Sequence, residues 1–239
     1  MKYKTDINSP ELKWREGTTP YSEAYSDVYF MPDEGLNEAR HVFLDGNNLA
    51  ERWQLLVAGD VFTIFECGFG TGLNCLAAIA LWQSLKPDGH LNYVAFEGYP
   101  LHPDDLNRAL SVYQPDIDCL DRFQESYRDL LATGRAQFSE NTHIELRLCN
   151  VESLHKSPVS APLFDAIFMD GFSPSANPEM WSPELCEYLF NHSNCTATLA
   201  TFSVAGMVKR NLRHAGFMIQ KKKGYGKKRE MLTAYKAAS

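Results

Sequence analysis

Three glycines set two apart, with acidic residues spaced around them, suggest a pocket for a nucleoside. In the stretch ECGFGTGLN, Gly68, Gly70 and Gly72 follow an apolar run ending near Glu66 and precede a helix-like segment. Glycine permits a sharp turn and lets a ligand touch main chain with no Cβ in the way. Thr71 and Asn74 add polar side chains to the same turn. A dinucleotide loop carries Gly or Ala where Leu73 stands, and a phosphate-cradling loop needs a Lys followed by Ser or Thr. NAD, FAD and ATP-type ligands are therefore disfavoured, leaving a nucleoside without a phosphate chain. The charge of Glu66 suits a ligand bearing an ammonium and a sulfonium, which describes S-adenosyl-L-methionine. Glu97, at the end of the next apolar run, has lone pairs for both ribose hydroxyls. Asn150 and Val151 end a third run, where such folds meet the adenine amino group.

A second group of residues is suited to chemistry. In FMDGFSPSANPEMW, Asp170 is followed by a stretch rich in proline and aromatics, and Phe172 and Trp181 suit a flat, amine-bearing substrate. Methyl transfer from a sulfonium is an in-line displacement, so an alkylamine acceptor must first expose its lone pair. Asp170 is the expected proton acceptor. The seven histidines and six cysteines lack metal-ligand spacing, and no G-x-S-x-G elbow marks a serine nucleophile. No metal is expected. The cysteines read as reduced thiols, with Cys67 and Cys75 as apolar filler beside the glycines.

These residues need strands that end together. Strand-like runs occupy 61–66, 91–97, 143–149, 163–170 and 197–203, and helix-like segments occupy 73–85, 103–111, 119–133, 183–192 and 206–215. The alternation implies a parallel sheet covered on both faces. FMIQKK and MLTAYK flank KGYGKKRE and read as a closing antiparallel hairpin, making a mostly parallel seven-stranded sheet. The helix 73–85 is apolar nearly all round and should be deeply buried. Residues 1–60 read as an N-terminal cap, with RHVFLDGNNLAERW as a short strand, an Asp45-Gly46 turn and a helical turn or two; residues 61–239 read as the main domain.

Charge divides the chain. The net −7 splits into +9 from Met207 onward, where ten Lys and Arg face one acid, and −16 before it. A polyanion would meet the C-terminal face, through Lys221, Lys222, Lys223, Lys227, Lys228 and Arg229, with Tyr225 placed to stack on a base and the loop glycines leaving it mobile. No run approaches the ~18 apolar residues of a membrane span, and the N-terminus lacks a signal-peptide pattern, so a cytoplasmic protein is expected.

The motifs ECGFGTGLN, DAIFMDGFSPSANPEMW, LATFSVAGMVKRNLRHAGF and KKKGYGKKREML, in this order, resemble the methyltransferase domain of the bacterial bifunctional tRNA 5-methylaminomethyl-2-thiouridine biosynthesis proteins. The similarity spans roughly residues 20 to 235. It implies a class I Rossmann-like methyltransferase using S-adenosyl-L-methionine. The implied reaction converts 5-aminomethyl(-2-thio)uridine at wobble position 34 of tRNA to its 5-methylaminomethyl form. The fused FAD-dependent oxidase domain of those proteins is not in this sequence, so the resemblance implies either a separate FAD-dependent oxidase acting on the same nucleoside or another route to the aminomethyl form. Two positions depart from the family pattern: Asn150 stands where an acid is usual, and Gly98 where a lysine is usual. The residues alone leave open an N-methyltransferase for another RNA base or a small amine, a non-enzymatic RNA-binding module, or an oxidoreductase, the last opposed by Leu73.

Overall fold

The computed structural model describes residues 9–31, 34–154 and 163–237, so the polar start at 1–8 lies outside it. A three-stranded antiparallel meander comes first: β1 (Leu12–Arg15), β2 (Thr19–Ser22) and β3 (Asp27–Val28). Two short helices follow, α1 (Gly35–Ala39) and α2 (Leu49–Trp53), joined by a π-helical turn at Arg40–Asp45. The expected strand in RHVFLDGNNLAERW is thus corrected to helix. A short apolar run such as Val42-Phe43-Leu44 satisfies either period, and here tertiary packing decides.

The main unit alternates as expected: β4 (Val61–Cys67), α3 (Leu73–Leu85), β5 (His90–Glu97), α4 (Pro103–Leu110), α5 (Leu120–Thr133), β6 (Arg135–Ser139), β7 (Thr142–Leu148), α6 (Val151–Leu154), β8 (Phe164–Met169), α7 (Pro183–Asn191), β9 (Ser193–Thr201), α8 (Gly206–Ala215), β10 (Met218–Lys223) and β11 (Glu230–Tyr235). Among the described residues the sheet has eight strands in the order β10-β11-β9-β8-β4-β5-β7-β6. Five strands from β9 to β7 are parallel, β11 and β10 add antiparallel at one side, and β6 adds antiparallel at the other. The expected count of seven is therefore corrected to eight. The missed strand, RAQFS, hairpins onto β7, and its five residues are too few and too polar to stand out from a loop.

Strand alternation assigns the two cores. Phe62 and Ile64 face the cluster built on α3, α4 and α5, while Phe65 and Cys67 face the cluster of α7 and α8. The helix α3 is buried on nearly every side because α1, the π-helical turn and α2 lie on its outer face. Those N-terminal helices are tied to the sheet: Asn47 donates to Ile167 O and accepts from Thr198 Oγ1, and Arg52 donates to Asp165 O and Thr198 Oγ1. No helix of the described residues is long and apolar enough to cross a membrane.

The chain leaves β4 for β5 on one side and later returns to β8 on the other, so the strand order reverses at β4. A crevice opens there above the carboxyl ends. The turn into α3 closes it with Gly72 at φ +72°, where an added Cβ would lie 2.8 Å from the rings of both Phe123 and Phe69. Gly72→Ala should lower stability by about 2 kcal/mol, read as a reduced urea midpoint with an unchanged m-value.

Candidate active site

A cavity of about 1020 Å³ occupies the crevice, at the upper end of small-molecule sites and large enough for a donor and an acceptor together. Gly68, Gly70, Thr71, Asn74, Glu97, Asn150, Val151, Asp170, Phe172 and Lys228 all line it, so the structure brings these predicted residues to one place.

The glycine turn is organised by an acid. The Gly70 N–H donates to Glu97 Oε2 at 2.8 Å, and the Tyr99 N–H donates to Glu97 Oε1 at 2.8 Å. Burial raises the Glu97 pKa above the ordinary range, opposed by these backbone donors. Each oxygen keeps a lone pair for a hydroxyl. Gly70, at φ +52°, leaves main chain open to the cavity, with only the Tyr29 ring close to where a Cβ would be.

Glu66 differs from expectation. It points to the α3 face of β4, like Phe62 and Ile64, and is fully buried without lining the cavity. It accepts from Asn74 Nδ2 at 2.8 Å and from Tyr93 Oη at 2.8 Å. Burial, with the nearby Asp170 charge, pushes its pKa well above the usual glutamate range. A direct role in holding a cation is replaced by a supporting one, through Asn74. The other hydrogen of the Asn74 amide goes to Asp170 Oδ2 at 2.7 Å. Asp170 Oδ1 accepts from the Gly171 N–H at 2.8 Å. Burial lifts the Asp170 pKa to about 6 against these two donors, with Glu38 raising it and Lys228 lowering it.

Beyond Asp170, Phe172 stacks on Tyr25 with centroids 4.5 Å apart and meets Tyr29 edge-on at 5.1 Å. Asp27 accepts the Ser173 N–H, so the N-terminal meander roofs this loop. Trp181 does not reach the cavity: it is buried, and its Nε1–H donates to Phe172 O at 3.0 Å. Packing, not substrate contact, accounts for it. Asn150 uses Oδ1 to accept the Ser153 N–H at the start of α6. Gly98 lies against Asn150, with room for a Cβ at ordinary contact distance.

The basic residues separate into two groups. Lys221, Lys222 and Lys223 lie exposed along the edge strand β10, Lys221 paired with Glu230 at 2.8 Å, and Lys227 and Arg229 are exposed in the following turn. Lys228 turns inward to Glu38 at 2.7 Å. The turn is tied by Gly224 N–H to Arg229 O and Lys228 N–H to Tyr225 O, and Tyr225 is half-buried near His41. The turn is thus hydrogen-bonded across its base and Tyr225 is half-buried, where the sequence reading expects glycines that leave the loop mobile and a tyrosine placed to stack. Glu38, Tyr25, Asp27, Tyr29 and Tyr93 were not anticipated. The aromatic run YSEAYSDVYF was visible, but nothing in its spacing says which strand ends it covers.

The carboxylates of Glu97, Asp170 and Glu38 oppose phosphates, and the Gly70 N–H that would meet a pyrophosphate is already engaged by Glu97. The residues present fit an uncharged nucleoside carrying a cation, as in S-adenosyl-L-methionine. The fold matches that of the crystal structure of MNMC2 from Aquifex aeolicus, at TM-score 0.74 and 20% identity, over 99% of this chain and 73% of that one. Residues 118–237, half of the chain, match the S-adenosyl-L-methionine-dependent methyltransferase family, and the chain belongs to it.

Two curated relatives carry the name tRNA 5-methylaminomethyl-2-thiouridine biosynthesis bifunctional protein MnmC. The protein of Leptospira interrogans is 40% identical over 92% of this chain and 34% of its own length. That of Acinetobacter baylyi is 42% identical over 98% of this chain and 39% of its own length. The chain thus spans little more than a third of the length of these relatives.

Because the folded Asp170 pKa lies above the unfolded value of about 3.9, this carboxyl lowers stability as pH rises from about 4 to about 6. Asp170→Asn should then stabilise the fold at pH 8 by about 1 to 2 kcal/mol, discounted for solvent in the cavity, with the gain vanishing near pH 4. Denaturation at the two pH values measures it.

Proposed function

We propose that this chain methylates the exocyclic amine of 5-aminomethyl(-2-thio)uridine at wobble position 34 of tRNA, forming 5-methylaminomethyl(-2-thio)uridine. The observation that carries the reading is Asp170, a carboxyl with raised proton affinity at the boundary between the glycine turn and an aromatic slot. The names of the curated relatives support the substrate, and the exposed bases of β10 and its turn support a polyanionic partner. On this reading the reaction is cytoplasmic, residues 1–60 cap the 61–239 transferase unit, and an FAD-dependent oxidase supplies the aminomethyl nucleoside.

Glu97 would hold the ribose hydroxyls of S-adenosyl-L-methionine, the main chain at Gly68 and Gly70 would lie against its amino-acid end, and Asn150 and Val151 would border the adenine. When bound, that cofactor supplies a methyl group on a sulfonium, open to attack by a nitrogen lone pair. The protein's own task is to expose that lone pair. An alkylammonium of pKa near ~10 gives its proton to an ordinary aspartate against a gap of about 6 units. With Asp170 near 6 the gap shrinks to about 4 units, a saving of about 3 kcal/mol. Asn74 fixes the acceptor oxygen, and Phe172 with Tyr25 offers a face for the uracil ring.

Asp170→Asn should reduce methylation of aminomethyl tRNA by about 10²- to 10⁴-fold while calorimetric affinity for S-adenosyl-L-methionine persists; full turnover by this variant would exclude the assignment. In the wild type, turnover should drop as pH falls through about 6, where Asp170 takes up its proton. Nucleoside mass spectrometry of tRNA from a deletion strain should show aminomethyluridine accumulating and its methylated product lost.

Binding should weaken with salt through counterion release. Replacing Lys222, Lys223 and Lys227 by alanine should reduce the slope of log affinity against log salt by up to about 2 to 3 and leave cofactor binding intact. Filter binding across a salt series reads this directly.

A further inference from the structure

Lys228 ends in an alkylammonium group, a methylene carrying NH₃⁺, the same group that an aminomethyl substituent presents. Its Nζ sits 2.7 Å from Glu38 Oε1 and 4.5 Å above the Phe202 ring, and Lys228, Glu38, Phe202 and Asp170 all line the cavity. The Glu38 side chain is only 14% exposed, whereas the Lys228 side chain is 42% exposed and enters from the hairpin turn. The carboxylate therefore belongs to the cavity wall, and the lysine is the partner that can leave.

Resting on the reading of an amine acceptor, we propose that Glu38 is the residue that selects the substrate's ammonium, and that Lys228 is an internal stand-in which the ammonium displaces. Departure of Lys228 leaves a largely buried carboxylate without its counter-charge. An incoming cation restores the pair; plain uridine does not. Selection thus works by exchange: the cavity opens fully only to a group that replaces the charge removed. Asp170 feels both partners, Glu38 raising and Lys228 lowering its proton affinity, which places all three in one electrostatic unit. Glu38 holds the ammonium, and Asp170, on the wall of the same cavity, takes its proton. Phe202 presents the same ring face to either cation.

The test compares two anticodon stem-loop RNAs, one with 5-aminomethyluridine and one with uridine at the wobble position. Fluorescence anisotropy gives their Kd values for each variant. Phosphate contacts are common to both RNAs, so the ratio of Kd values isolates recognition of the amine. Glu38→Gln should collapse the ratio about tenfold, toward one. Lys228→Met, which keeps length but removes the competing charge, should raise it severalfold, and the double variant should match Glu38→Gln. A ratio that falls or stays constant in Lys228→Met, or stays constant in Glu38→Gln, overturns the proposal. Should Glu38→Gln lose cofactor binding through misfolding, Lys228→Met alone decides. Wild-type methylation of the aminomethyl stem-loop tests the underlying reading separately: no product sinks that reading, whereas product with unaltered ratios sinks only this inference.

Discussion

One carboxamide, that of Asn74, holds apart two acids that the fold brings beneath the same helix start. Its two amide hydrogens go to Glu66 and Asp170, at 2.8 and 2.7 Å. Without those donors, two desolvated carboxyls on adjacent strands would repel each other and each would favour its neutral form. Asn74 has this place because it lies in the first turn of α3, immediately after the glycines that swing the chain off β4. Tyr93 completes the support from below, on β5. Asp170 is thus anchored to the centre of the sheet, and the geometry that sets its proton affinity is that of the core.

The roof of the cavity is built differently. The N-terminal meander and the residue after it reach the 170–173 loop through the Tyr25 and Tyr29 rings on Phe172 and the Ser173 N–H donated to Asp27. These are contacts of modest strength compared with the buried network beneath. The floor of the cavity is thus held by a buried hydrogen-bond network, whereas its roof is attached separately.

Much of the frame is legible in the sequence because it rests on local rules. The helices 73–85 and 206–215 emerge with the bounds the structure gives them, and each central strand coincides with its apolar run to within a few residues. Glu97 and Asp170 are legible as acids at strand ends, since alternating strands and helices place those ends together. Glu66 is not, because its orientation depends on the phase of alternation along β4, which only the packing of α3 reveals. The helical turn at Arg40–Asp45 is similarly decided by neighbours far along the chain, among them β9, whereas the strand RAQFS is fixed by its hairpin partner β7 a few positions on. Glu38 and Lys228 lie 190 positions apart, and no spacing rule joins them. Trp181 shows the opposite failure, for an indole close in sequence to Asp170 reads as a contact surface until its N–H is seen tethering the loop from behind.

The lysines of β10 have one more effect. Among the described residues the strand is the outermost of its sheet and pairs with β11 alone, so its other side is open to pairing with a passing chain except where the His41 ring meets Lys223 O. Three successive ammonium groups along that border repel a second copy of themselves and make an intermolecular ladder unfavourable. Neutralising them would therefore remove a guard against self-association, and such a variant would be expected to precipitate more readily than its parent.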